Sequence, residues 1–197
     1  MPQTTRTPTL MGQAVTCALM LMLACAITAA FHPRPLFASW VSDASWTLQA
    51  SVSLAFVVAA IVACVLVLAV PSLRLRMPVP NVVRSIDLRG GRPFAIGAFA
   101  GLGEEALFRA ALQPLLGLWF GAAMFAVAHA RTAMFGTSVR WKQFAYVGNV
   151  FAAGVALGLV YEHFGLLCVI VIHATIDIAA LTVARELTTS ASRRSSA

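Results

Sequence analysis

Charge is what this chain has least of. Only 11% of its 197 residues are charged, whereas a soluble domain carries roughly 25%. With 60% of the residues hydrophobic, most of the surface must face something other than water. The formal charge of +7, from 14 Lys and Arg against 7 Asp and Glu, is not gathered into an aromatic-interleaved basic patch. That distribution excludes the footprint of a nucleic-acid-binding domain. Paired cysteines are missing as well. Cys17, Cys25, Cys64 and Cys168 all lie in apolar runs, without a CxxC pair or a His at zinc-finger spacing. They read as small buried apolar side chains. No HExxH motif and no internal repeat is present.

Long apolar runs stand in place of charge. About 20 helical residues cross the hydrocarbon core of a bilayer, and residues 10–31 contain no charge. Arg6 before this run and Thr28, Ala29 and Ala30 at its end also suit a cleaved signal peptide. Its apolar part is longer than a signal core, which favours a retained helix. Residues 50–70 form a second span ended by Pro71, and Trp40 and Trp46 before it suit an interfacial belt. Further spans are expected over 93–113, broken by Pro114, then over 115–130, 143–161 and 166–183, with a turn at 162–165.

Basic residues cluster between these runs: Arg74, Arg76, Arg84, Arg89 and Arg92, then Arg131, Arg140 and Lys142, then Arg185, Arg193 and Arg194. The positive-inside rule assigns all three clusters to the cytoplasm. Alternate threading then puts both termini there and leaves Arg34 facing out. The expected fold is an all-α, polytopic membrane helix bundle of about six transmembrane helices, with both termini cytoplasmic. Residues 1–92 would supply two N-terminal helices and a basic loop, 93–184 a core of about four helices, and 185–197 a polar cytoplasmic tail. Small residues at i, i+4 spacing (Gly97 and Gly101, Gly117 and Gly121, Gly154 and Gly158) would let helices approach closely.

Within the spans lie residues that hydrophobicity alone would have removed. A charge at a helix centre costs at least about 2.5–3.5 kcal/mol on the insertion scale. Yet Glu104, Glu105 and Arg109 share the third span, His129 ends the fourth, and His173 and Asp177 lie in the sixth. Glu105 and Arg109 are i, i+4 and can pair. Glu104 is rotated by about 100° and cannot share that role. An unpaired carboxylate can take a proton from water and return it to a leaving amine, and an imidazole can hold the water or stabilise an oxyanion. Glu104 is therefore the better base, and Glu105 with Arg109 the better scaffold. Tyr146 and Asn149 in the fifth span are candidates for lining the same pocket, while packing accounts for Phe125. His163 and His32 read as surface and loop residues.

The run Glu104-Glu105-Ala-Leu-Phe-Arg109, then Phe125-xxx-His129, then His173-xxx-Asp177, resembles the CPBP (CAAX protease and bacteriocin-processing, Abi) intramembrane proteases, which include the type II CAAX prenyl endopeptidases. The likeness covers about Pro93 to Ala184, and three motifs in order make it specific. It implies that Glu104 and His129 activate water, that His173 and Asp177 support the oxyanion, and that Glu105 and Arg109 organise the third helix. Asp177 stands where the family often has Asn, and an ionised Asp donates no hydrogen bond. A metal-free mechanism is favoured, so no cofactor is expected. Zinc is the alternative, and its ligands would be His129, His173 and Glu104. The implied activity is an endopeptidase cutting a membrane-inserted or lipid-anchored protein. Its expected place is the bacterial cytoplasmic (inner) membrane, with the site opening inward. A non-catalytic scaffold or immunity-type protein is the main alternative. A proton-coupled transporter follows behind it, because inverted repeats are missing.

Overall fold

The structure, a computed structural model, describes residues 10–36, 43–76, 86–134 and 140–195. Arg6, Trp40 and Arg84, named above, lie outside the described residues. The elements are α1 (Leu10–Phe31), α2 (Trp46–Ala69), the short α3 (Pro71–Arg76), α4 (Arg92–Glu105), a π-helical segment (Ala106–Leu112), α5 (Gln113–Leu116), α6 (Leu118–Met134) and α7 (Arg140–Ser195). Among the described residues the chain is all-helical, as expected. Gly165, at φ 82° and ψ 177°, divides α7 into two limbs, 140–164 and 166–195.

Burial is arranged inside out relative to a soluble protein. In α2 the one buried side chain is Gln49, while Leu54, Phe56, Ile61 and Val65 are exposed. The buried set includes Glu105, Arg109, Gln113 and His173. Outward apolar and inward polar groups are stable together only where the surroundings are hydrocarbon. Three helical stretches among the described residues are long and apolar enough to cross a membrane: Leu10–Phe31, Trp46–Ala69 and Phe144–Thr189, the last spanning both limbs of α7. Leu118–Ala130 is a shorter apolar helix, and the remaining expected span falls on α4, the π segment and α5. The chain is an integral membrane protein.

Element ends follow local chemistry, and several differ from the sequence expectation. Val70 is extended (φ −99°, ψ 109°), as the residue before a proline prefers, so α2 stops there and Pro71 opens α3. Pro114 does not break its helix. Proline lacks an N–H and its ring crowds the carbonyl four residues back. The backbone meets this by widening: the Gln113 N–H reaches the Phe108 carbonyl, five residues back. Helix then continues to Leu116 and ends at Gly117, whose φ of 79° favours glycine. Gly117 is thus a turn residue rather than a packing residue. Beyond the apolar run of its second limb, α7 remains helical to Ser195.

Close helix contacts place the site. A Cβ on Gly101 would lie 2.9 Å from the Ala174 backbone nitrogen, and one on Gly97 would lie 2.7 Å from Ile178 Cγ1. These glycines press α4 against the second limb of α7, beside His173. Gly103 meets Cys17 of α1, and Gly154 meets Ala122 of α6. At the basic end, Asp87 binds the Arg89 and Arg92 guanidinium groups, and Arg185 donates to the Gly90 carbonyl at 3.2 Å. Hydrogen bonds from Arg89, reinforced by the charges of Arg89 and Arg92, hold the Asp87 carboxyl well below the usual carboxylate range.

Candidate active site

Three segments bring their ionisable side chains to one point. The last turn of α4 and the π segment supply Glu104, Glu105 and Arg109; α6 supplies Phe125 and His129; the second limb of α7 supplies His173 and Asp177. Glu105 and Arg109 are fully buried and pair through Oε2 and Nε at 3.0 Å. The same carboxylate reaches across to His173, with Oε1 at 2.5 Å from Nδ1. That second contact links two helices and is not readable from spacing within either one. It commits the His173 Nδ1–H to Glu105 and turns Nε2 toward the rest of the cluster.

Glu104 occupies a different niche. Its Oε2 lies 3.3 Å from His129 Nε2 and 3.9 Å from His173 Nε2. His129 donates from Nδ1 to the Phe125 carbonyl at 2.9 Å, so its Nε2 is the atom facing Glu104. The contact is favourable when one proton lies between the two groups. Glu104 and His129 thus form a carboxylate–imidazole pair able to accept a proton at one atom and release one at another. Asp177 Oδ2 lies 3.7 Å from His173 Nε2. Separations of 3.7 and 3.9 Å are too long for direct hydrogen bonds.

Exposure is graded across the cluster. Glu105 and His173 are buried, the Glu104 side chain is 16% exposed, and those of His129 and Asp177 are 27% and 35% exposed. The closed end therefore holds the Arg109 ion pair, and the accessible end holds the groups suited to handling water. Tyr146, half-buried on the first limb of α7, is within electrostatic reach of Asp177 and Glu104, whereas Asn149 is exposed.

Phe125 does more than fill space. Its ring stands 4.4 Å from the His129 ring and 5.9 Å from that of His173. The Arg109 guanidinium carbon sits 4.9 Å above it, and Phe108 meets it edge-on at 5.3 Å. A cation over an aromatic face gains roughly 0.5–2 kcal/mol. That contact compensates in part for Arg109 Nη1 and Nη2, which have no hydrogen-bond partner among the described residues. The i, i+4 spacing of Phe125 and His129 was the available signal, since it puts ring and imidazole on one face.

Zinc would require three convergent ligands. Among the described residues no group of three His, Cys, Asp or Glu side chains is arranged to hold a metal ion, so no step below is routed through one.

Fold and site together define a helical membrane protein with a carboxylate–imidazole cluster sunk between its helices. Residues 92–179, from α4 into the second limb of α7, match the family described as type II CAAX prenyl endopeptidase Rce1-like. No curated protein and no solved structure matches the chain.

Proposed function

We propose that the chain is an intramembrane endopeptidase acting on a lipid-anchored or membrane-inserted protein, with Glu104 as the base. The observation that carries this reading is the division between the two adjacent glutamates. Glu105 is held by Arg109 and His173, and Glu104 faces His129 at 3.3 Å beside the accessible end of the cluster. A carboxylate locked in a buried ion pair is a poor base, and one paired with an imidazole at a wet edge is a good one.

In the proposed reaction, Glu104 takes a proton from water as the oxygen attacks the scissile carbonyl. The carbonyl electron pair becomes an oxyanion, which His173 stabilises through Nε2–H. Because Nδ1–H is given to Glu105, Nε2 carries a hydrogen only in the imidazolium form, and the proposed reaction uses that form. The tetrahedral species then expels the amine, which takes a proton from the Glu104–His129 pair. Asp177 orients and charge-balances His173; as a carboxylate it accepts hydrogen bonds but donates none.

A lipid-bearing substrate is supported by a second feature. An apolar groove of about 600 Å³ runs between α1, the π segment and α6, bordered by Ile27, Phe108, Ala123, Met124 and Ala128. Its size is within the ~300–1,000 Å³ typical of small-molecule sites. Phe108 touches Phe125 and Ala128 adjoins His129, so a chain lying in the groove would end beside the cluster. The exposed members of the site lie toward the end bearing Arg92 and Arg185, which favours an opening on the cytoplasmic side of a bacterial inner membrane.

The test is cleavage in proteoliposomes of prenylated, acylated and transmembrane candidate proteins, with products identified by mass spectrometry, with and without a zinc chelator. Site-specific cleavage that survives chelation is expected. Folded protein that cuts none of these classes would instead support the non-catalytic scaffold reading.

A further inference from the structure

A small cleft lies at the opposite end of the active-site helix from the basic loop. Where α1 ends at Phe31, the chain turns back, and His32 donates from Nε2 to the Ala111 carbonyl at 2.9 Å. This turn and the end of the π segment enclose a cleft of about 210 Å³, bordered by Thr28, His32, Arg34, Ala110, Pro114 and Tyr161.

The cleft is furnished with donors that the fold does not use. Thr28 is 4% exposed, and its Oγ1 has no hydrogen-bond partner among the described residues. Several helical threonines return their hydroxyls to their own backbone: Thr16 to Gly12, Thr175 to Val171 and Thr188 to Ala184, at 2.7–3.0 Å. Thr28 does not, so a buried hydroxyl is left without a hydrogen-bond partner to offset its burial. Arg34 stands exposed at the rim and makes no ion pair among the described residues.

A guanidinium and an uncompensated hydroxyl bordering one small cavity select an oxyanion with several acceptor oxygens. The level of the cavity narrows the choice. The 22 residues of α1 rise by about 33 Å at about 1.5 Å each, close to the hydrocarbon thickness, and the cleft sits at their end. We propose that this cleft binds a phosphate group, with a phospholipid headgroup of the leaflet opposite the basic loop as its source. Arg34 pairs with the phosphate and the Thr28 hydroxyl donates to it. Since Ala110, Pro114 and the Ala111 carbonyl belong to the segment that carries Arg109, an occupied cleft would brace the back of the active-site helix. Binding itself requires nothing of the proteolytic reading.

The test is native mass spectrometry of the full chain released from nanodiscs containing phosphatidylglycerol. Wild type, Thr28→Val, Arg34→Gln and, as a control at the basic end, Arg89→Gln are compared after matched thermal unfolding shows that each is folded. Wild type and Arg89→Gln should retain one lipid. Arg34→Gln and the near-isosteric Thr28→Val should lower retention on the order of tenfold, as loss of one charge-assisted or buried hydrogen bond predicts. A parallel arm offers inorganic phosphate without lipid. Arg34-dependent uptake of phosphate with no lipid retained would identify the source as a soluble phosphate instead. Equal retention of both ligands by wild type and the two cleft variants would overturn the proposal.

Discussion

Replacing Glu105 by Gln probes the closed end of the site. The change keeps the side-chain volume and removes one charge, leaving Arg109, 0% exposed, with an uncompensated guanidinium. Breaking a buried pair from one side costs about 3–5 kcal/mol, whereas replacing both partners with matched neutral groups is often neutral. The low end of that range is expected, because the unfolded state of a membrane helix also finds polar partners. Glu105→Gln should therefore lower stability by about 3 kcal/mol, and Glu105→Gln with Arg109→Met should recover most of the loss, Met retaining contact with the Phe125 ring. Activity should not recover with it. Both variants lose the ionised acceptor 2.5 Å from His173 Nδ1, and the fall should be roughly 10²–10⁴-fold, the range for acid–base groups. Reversible unfolding in mixed micelles, read beside cleavage rates, separates the two effects. A single variant that loses less than about 1 kcal/mol, or a double variant that regains activity, would refute the reasoning.

Gly101→Ala should cost about 1–3 kcal/mol by overpacking, since its Cβ meets the Ala174 and Ile170 backbone at 2.9–3.0 Å. Gly148→Ala, with nothing within 4 Å, should be neutral or gain up to about 1 kcal/mol in the same unfolding assay. Ala123→Phe, which fills the apolar groove, should raise KM for a lipid-anchored substrate and leave kcat nearly unchanged; an unaltered KM would remove the groove from substrate binding. Asp87, whose carboxyl is held low by Arg89, contributes stability above its unfolded pKa and loses it as pH falls through the lower folded value. The stability difference between wild type and Asp87→Asn should accordingly be flat from about pH 5 to 8 and shrink below about pH 4.

Much of this was legible in the sequence because membranes penalise polarity so steeply. Glu104, Glu105, Arg109, His173 and Asp177 stand out through that cost alone, and i, i+4 geometry separates the two glutamates. Contacts between helices were not legible. The Glu105–His173 link joins residues 68 positions apart, and no periodicity within one helix reports on it. Pro114 departs from the sequence expectation for a related reason. A proline signals trouble in an α-helix, but not whether the chain will break or widen, and here a π segment absorbs it. Gly117 and Gly121 fit the small-residue pattern equally well, although one forms a turn and the other packs on Gln113. Packing alone accounts for Phe125 in the sequence, and only the positions of Arg109, His129 and His173 around the ring reveal its second role.

Single-turnover cleavage in proteoliposomes by wild type and Glu104→Gln, each shown to be folded, tests the central claim most directly. Gln preserves the shape and the contact with His129 but cannot accept a proton from water. The account predicts a loss of about 10²–10⁴-fold in the cleavage rate with little change in substrate binding. Cleavage by Glu104→Gln at close to the wild-type rate would contradict it.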